Sequence, residues 1–173
     1  MIRCKTPKTK EEFAKYFHFR WCHLRKPWHK AQGSEQDDLE HVSFHRMLVD
    51  ERDNILAIGR IHFLNQDTAQ IMYMAVAPES QGQGLGQQLL AQLSNVAQAN
   101  GAKLLTLNAR ESAVSFYELQ GFQNLGFSHL LFEQINHYKM SKPIPTPYSE
   151  LQARIERLEQ TWHQTIPMSK AMN

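Results

Sequence analysis

The sequence holds little cysteine. Cys4 and Cys22 are the only two in 173 residues, and neither stands in a CxxC or Cys/His metal spacing. That argues against a disulfide scaffold and a zinc ribbon, and reads as free thiols in a reducing compartment, with no metal. No apolar run approaches the roughly 20 residues that span a bilayer. The amino-terminal MIRCKTPKTKEEF lacks the apolar core of a signal peptide. The expectation is a cytoplasmic protein with no membrane partner. Excess charge is missing too: 19 basic and 17 acidic residues leave a formal net charge of +2. Without a basic block or stripe, nucleic acid is not the expected partner. Apolar residues at 42% and charged residues at 21% match ordinary globular usage. The length suits one domain with a short appendage.

What is present is a regular alternation of element signals. Residues 2–5 read as a short strand. Thr9-Lys10-Glu11-Glu12 is a capping box opening a helix with Phe13, Phe17, Trp21 and Leu24 on one face, ended by Pro27. A polar loop over 26–36 leads to a weaker helix candidate from Ser34 to about His45. Three strands follow in meander order: FHRMLVDE, ILAIGRIHFL and AQIMYMAVAP, the last closed by Pro78. Gly84–Asn100 is a helix with Leu85, Leu89, Leu93 and Val96 in one stripe, stopped by Asn100-Gly101. AKLLTLNA is the next strand; strand, helix and strand form a crossover, so these two strands run parallel. Asn108 looks like a capping start for a helix from Glu111 to Gln120. GFQNLGF and INHYKMSKPI are final strands with an irregular connection. The main domain is expected over 1–142. Residues 143–173 are a proline-rich linker and an amphipathic helix, capped at Ser149, with Leu151, Ile155, Leu158 and Trp162 on one face. That face invites a homodimer or a partner domain.

One feature needs a ligand to explain it. Gln81-Gly82-Gln83-Gly84-Leu85-Gly86 lies between the strand ending at Ala77 and the helix opening at Gly84. Glycines there weaken regular structure unless something approaches the backbone closely. A helix start presents free N–H groups and a partial positive charge, which together bind phosphate. The glycines fall as GxGxG, not as the dinucleotide GxGxxG, and no Lys-Ser or Lys-Thr follows Gly86 as a P-loop requires. Both nucleotide patterns fail on specific residues.

The loop, taken with Met74-Ala75-Val76-Ala77-Pro78 before it and Ala113-Val114-Ser115-Phe116-Tyr117 to Gly121-Phe122 after it, resembles the two signatures of the GNAT (Gcn5-related N-acetyltransferase) family. The resemblance spans roughly residues 2–142. It implies an α/β (α+β) GNAT fold: a mixed, mostly antiparallel sheet with a splayed parallel strand pair, flanked by helices. It implies acetyl-CoA or another acyl-CoA as co-substrate. The pyrophosphate would lie on the backbone of Gln81, Gly82, Gln83, Gly84, Leu85 and Gly86. Met74 and Val76 would pair with the pantetheine arm, and Asn108 and Ser115 would flank the opened gap.

By the same resemblance Tyr117 holds the general-acid position, and its phenol is protonated at neutral pH. No motif marks a general base; the candidates are Glu79, His62 and Tyr73. Trp21, Arg25, Trp28, His41, Phe44 and His45 are candidates for the acceptor pocket, and INHYKM places His137 near the site by analogy. The implied activity is N-acetyl transfer to a small-molecule or protein amine. Two alternatives stay open: a malonyl-thioester decarboxylase using the same cleft, and a non-catalytic acyl-CoA-binding module. The stretch around TWHQTIP also resembles the connector in proteins that join a GNAT domain to a hotdog thioesterase domain.

Overall fold

The computed structural model describes residues 1–145 and 148–165. Strand β1 (Arg3–Lys5) and helix α1 (Lys10–Leu24) open the chain. Strands β2 (Phe44–Val49), β3 (Ile55–Phe63) and β4 (Thr68–Val76) follow as an antiparallel meander. Helix α2 (Leu85–Ala99) crosses to strand β5 (Leu104–Arg110), which runs parallel to β4. Helix α3 (Val114–Leu119), strands β6 (Gln123–Leu131) and β7 (Ile135–Pro143), and helix α4 (Tyr148–Thr165) complete it. The seven strands form one sheet in the order β1-β2-β3-β4-β5-β7-β6. This mixed, mostly antiparallel sheet with one parallel pair is the expected GNAT architecture.

The two faces of the sheet are covered for different reasons. Leu85, Leu89, Leu90, Leu93, Val96 and Ala97 of α2 are buried against Leu48, Ala57, Ile61 and Ile71 of the sheet. Gly59 allows this close approach: a Cβ there would lie 2.7 Å from Leu93 Cδ1. On the other face α1 packs over Met47, Val49, Ile58 and Ala75. Its capping box forms as expected, Glu12 N–H donating to Thr9 Oγ1 at 3.2 Å. Its buried residues, however, are Tyr16 and Arg20 rather than the Phe13–Leu24 stripe. The helix is rotated to carry a guanidinium inward.

Three further expectations are corrected. Residues 34–43 form turns and a single 3₁₀ turn, Glu40–Val42, instead of a helix. Their acidic side chains reach buried arginines, and those contacts outweigh helix propensity. Asn108 lies inside β5 and caps nothing; α3 begins at Val114 after a 3₁₀ turn, Glu111–Ala113. β6 and β7 form a hairpin over Leu131↔Ile135, turned through left-handed Phe132 and Glu133, where an irregular connection was expected.

In α4, Leu151, Ile155, Leu158 and Trp162 are all exposed. Thr146, Pro147, residues 166–173 and the side chain of the expected cap Ser149 lie outside the described residues. No helix among the described residues is long and apolar enough to cross a membrane.

Candidate functional site

The parallel pair comes apart. β4 and β5 pair from Thr68↔Leu104 to Ile71↔Leu107 and no further. β4 nevertheless continues to Val76 and β5 to Arg110. The cause is visible on the far side of β4. Its register with β3 shifts between Ile58↔Ala75 and Arg60↔Met72, an extra residue that bends the strand away from β5. Tyr73 sits in this bulge with φ of 56°, left-handed backbone that a tyrosine adopts only when held. It is held. Its hydroxyl donates to Asp37 Oδ2 at 3.0 Å, and its ring lies under the guanidiniums of Arg20 and Arg60 at 4.4 and 4.9 Å.

The opening between the strands is a cleft of about 270 Å³. Met72, Tyr73 and Met74 line it from β4, Leu107, Asn108, Ala109 and Arg110 from β5, and Tyr117 from α3. Leu24 and Arg25 reach it from the end of α1, and His129 and His137 from the last hairpin. Residues 72–76 of β4 have no β5 partner, so one edge of that strand offers free backbone groups to whatever enters.

Beyond the end of β4 lies the glycine loop. Gly82 and Gly84 have φ of 74° and 78°, left-handed values that suit glycine. The first bond into α2 runs from Gln88 N–H to the Gly84 carbonyl at 3.0 Å. The amides of Leu85, Gly86 and Gln87 are therefore left for an outside acceptor at the positive end of a 15-residue helix. Gly86 has a packing reason as well: a Cβ would come 3.3 Å from the Phe116 ring, tighter than an ordinary contact, so the ring would have to give. Gln81 Nε2 donates to the Val76 carbonyl at 3.3 Å, tying the loop to the end of β4.

Tyr117 is 9% exposed. Burial pushes its phenol up to about 12, and Arg110 pulls the other way. It stays a proton donor across the physiological range. Also on the cleft wall, His137 Nδ1 donates to the Ile135 carbonyl at 3.0 Å, and its ring stacks on His129 at 4.8 Å. Burial, with Ile135 opposing, and the neighbouring His129 and Arg110 hold the His137 imidazole below its ordinary value, hence neutral at pH 7.

Under the cleft is a buried ionic network that the sequence reading missed. Arg20 and Arg60 are both fully buried. Arg60 makes a fork to Asp37 at 2.6 and 2.9 Å. Glu40 Oε1 bridges Arg20 at 2.7 Å and Arg60 at 2.9 Å. Arg20 also donates to the Tyr16 hydroxyl, which donates to the Gly59 carbonyl opposite the bulge. Two cations and two carboxylates thus balance while pinning the loop over 35–43 to the bulge. The available signal was Arg60 itself, a charge inside the apolar strand ILAIGRIHFL.

The predicted site residues divide. Tyr117, Met74, Asn108, Tyr73, Arg25 and His137 meet in the cleft. Gln81–Gly86 form the helix-opening loop beyond the end of β4 and are not among the lining residues. Val76 ends the freed edge of β4. Glu79, His62 and Ser115 are not brought to the cleft lining. Glu79 is exposed on a 3₁₀ turn, Ser115 is exposed on α3, and His62 is buried in β3 beside Arg60. His45 is buried against Tyr16, and Trp21 donates to the Lys30 carbonyl. Neither these two nor Trp28, His41 and Phe44 are among the lining residues. Arg110 and His129 line it without having been singled out.

This geometry agrees with what the chain is similar to. Residues 11–122 match the family model described as Acetyltransferase (GNAT) family. The [ribosomal protein bS18]-alanine N-acetyltransferase of Haemophilus ducreyi is 31% identical over 119 residues, covering 66% of this chain and 74% of that protein. Among solved structures, an aminoglycoside 6'-N-acetyltransferase complexed with coenzyme A superposes with a TM-score of 0.70 at 13% identity, over 85% of this chain and 99% of that one. The ribosomal-protein-S18-alanine N-acetyltransferase of Escherichia coli gives 0.65 at 19% identity, over 85% and 96%. A sheet split at a β4 bulge, a glycine-opened helix and the matched family model lead to one assignment: the chain belongs to the GNAT acetyltransferase family.

Proposed function

We propose that this enzyme is an acyl-CoA-dependent N-acyltransferase that moves an acetyl group from acetyl-CoA to an amine by direct attack. The observation that carries this reading is a freed β4 edge and Tyr117 on one cleft, with an amide-rich helix start following the end of the same strand. The amides of residues 82–87 hold the pyrophosphate. The edge of Met72–Val76 takes the pantetheine arm as an added strand. That course delivers the thioester to Tyr117. The amine nitrogen forms a bond to the acyl carbon as the carbon–sulfur bond breaks. Tyr117 gives its proton to the departing sulfur, and the proton lost by the amine restores the phenol through water. Asn108 and Tyr73 line the same space but are poorly suited as the base. One is a neutral amide, and the phenol of the other is raised by burial and Asp37.

The name of the Haemophilus relative makes an alanine of a ribosomal protein the first acceptor to try. Incubation with acetyl-CoA and a panel of small amines and alanine-starting peptides, reading thiol release, tests the reading. Coenzyme A binding with no turnover on any acceptor would leave only a binding module.

One observation favours a second reading: among the described residues no Asp or Glu lines the cleft. Malonyl-thioester decarboxylation needs no amine and no carboxylate base. The bond from the α-carbon to the carboxylate breaks, carbon dioxide leaves, and its electron pair passes into the thioester as an enolate. Tyr117 protonates the α-carbon and is recharged from solvent. Mass spectrometry of malonyl-CoA incubated without an acceptor separates the two readings.

A further inference from the structure

Three guanidiniums surround Tyr73, and they are not alike. Arg20 and Arg60 have carboxylate partners, at 2.7 Å and at 2.6 and 2.9 Å respectively. Arg25 is the third, with its guanidinium 5.5 Å from the Tyr73 ring and 5.3 Å from the Phe132 ring. It is the one that lines the cleft. Among the described residues it has no ion-pair partner within 4.0 Å. Glu35 is close enough to exert a field, but its carboxylate is committed to the Gly33 amide at 2.6 Å and to Gln36 at 3.1 Å.

The guanidinium is nevertheless fixed. Its Nε donates to the Ser34 carbonyl at 3.0 Å, and Nη1 donates to the Leu24 carbonyl at 3.1 Å. A guanidinium has five N–H donors, so three are not committed to backbone carbonyls, two of them on Nη2, with the Tyr73 hydroxyl as a side-chain neighbour. Its plane is set by backbone carbonyls before any ligand arrives. Burial pushes it below its ordinary value, with Tyr73 opposing. A half-buried cation normally finds a charge partner. Here only the field of Glu35 opposes the burial from outside the cleft; among the described residues the other titratable groups on the cleft wall are Arg110, His129, His137, Tyr73 and Tyr117. Such a wall repels a second cation and attracts a small anion.

We infer that Arg25 is a specificity-determining residue that receives a carboxylate of the molecule held in the cleft. A preoriented fork between two aromatic rings matches a planar two-oxygen acceptor. The carboxylate has two sources: the amine acceptor, or the acyl group of the thioester. The inference rests on the cleft being the acyl-CoA site of the proposed function, but not on which reaction follows.

The test has two arms on the intact chain. In the acceptor arm, KM is measured with acetyl-CoA for amines offered in pairs, each carboxylate beside its own amide, with O-phosphoethanolamine as a phosphate control. In the acyl arm, dissociation constants are measured by calorimetry for malonyl-CoA and succinyl-CoA beside propionyl-CoA and butyryl-CoA. The expected result is a preference for the carboxylate member in one arm, lost by roughly tenfold to a hundredfold in Arg25→Gln. A partial loss is expected in Arg25→Lys, which keeps charge and stem but not the fork. If Arg25→Gln does not fold, Arg25→Lys decides: a reduced preference supports the assignment and an intact one overturns it. No preference in either arm, a preference that survives Arg25→Gln, or equal use of the phosphate overturns it. An Arg25-dependent preference confined to the acyl arm, with no amine turned over, supports Arg25 and removes the acetyl-transfer reading instead.

Discussion

The Tyr117 hydroxyl donates to the Met74 sulfur at 3.6 Å, bridging α3 and the freed edge of β4. A thioether is a weak acceptor, so this bond is readily exchanged for one to a thiolate. Met74 therefore occupies the role of the acceptor that Tyr117 is proposed to serve. Tyr117→Phe should lower kcat by on the order of a hundredfold or more while leaving the affinity for coenzyme A nearly unchanged. Steady-state kinetics beside calorimetry would show it. Unchanged turnover removes Tyr117 from the chemistry.

The glycine loop makes a separate prediction about binding. Nothing lies within 4 Å of a Cβ at Gly84, so only the left-handed φ of 78° and the ligand restrict that position. Gly84→Ala should cost about 1–2 kcal/mol of stability through backbone strain alone. Gly84→Glu adds a negative charge at the proposed pyrophosphate cradle. It should weaken coenzyme A binding well beyond the alanine variant. Equal affinities for the two variants would show that no anion sits there.

Glu40 bridges two fully buried guanidiniums. Glu40→Gln leaves Arg20 without a carboxylate partner and two cations facing Asp37 alone, and should destabilise the fold by about 3–5 kcal/mol. A urea titration reads this as a lower midpoint at unchanged slope. A loss below about 1 kcal/mol would mean that water or Asp37 takes over the balance.

Acid should unfold the protein in two stages. Burial lowers His45, with the Glu40 carbonyl opposing, and burial with Arg60 lowers His62, both from 6.5. Their depressed folded values mean that the unfolded chain binds protons first. The stability they contribute is full above pH 6.5 and falls as pH drops below it. Asp37 is opposed by burial, but the Arg60 fork, the Leu39 amide and the Tyr73 hydroxyl together lower it from 3.8 to about 2. Its contribution is present above 3.8 and is lost between there and about pH 2. Melting temperatures followed from pH 8 to 2 should decline in both windows, and Asp37→Asn should reduce the lower step, leaving the part due to Glu11, Glu12 and Asp50. A flat profile down to pH 4 contradicts the first stage.

The order of strands and helices was legible in local patterning. The α2 stripe, the parallel crossover and the glycine loop each depend on neighbours in sequence, and all three appear. The errors share a cause. Ser34 to about His45 read as a weaker helix, yet Asp37 and Glu40 within it are spent on arginines from β3 and α1 and its last two residues open β2. Arg20 on α1 drew no reading from the sequence, though it is fully buried. Asn108 matched a cap and sits in a strand instead. Glu79 and His62 carried the right chemistry for a base, but placement relative to the cleft is set by strand pleat and the Tyr73 bulge. Neither is visible in residue spacing.

The central claim is that coenzyme A enters at the end of the β4–β5 pairing. Backbone hydrogen exchange with and without coenzyme A tests it without reference to any acceptor. The account predicts new protection in two segments together: residues 72–76 along the freed edge of β4, and residues 82–87 at the start of α2. Protection of neither segment on saturation with coenzyme A, or protection elsewhere on the sheet, would contradict it.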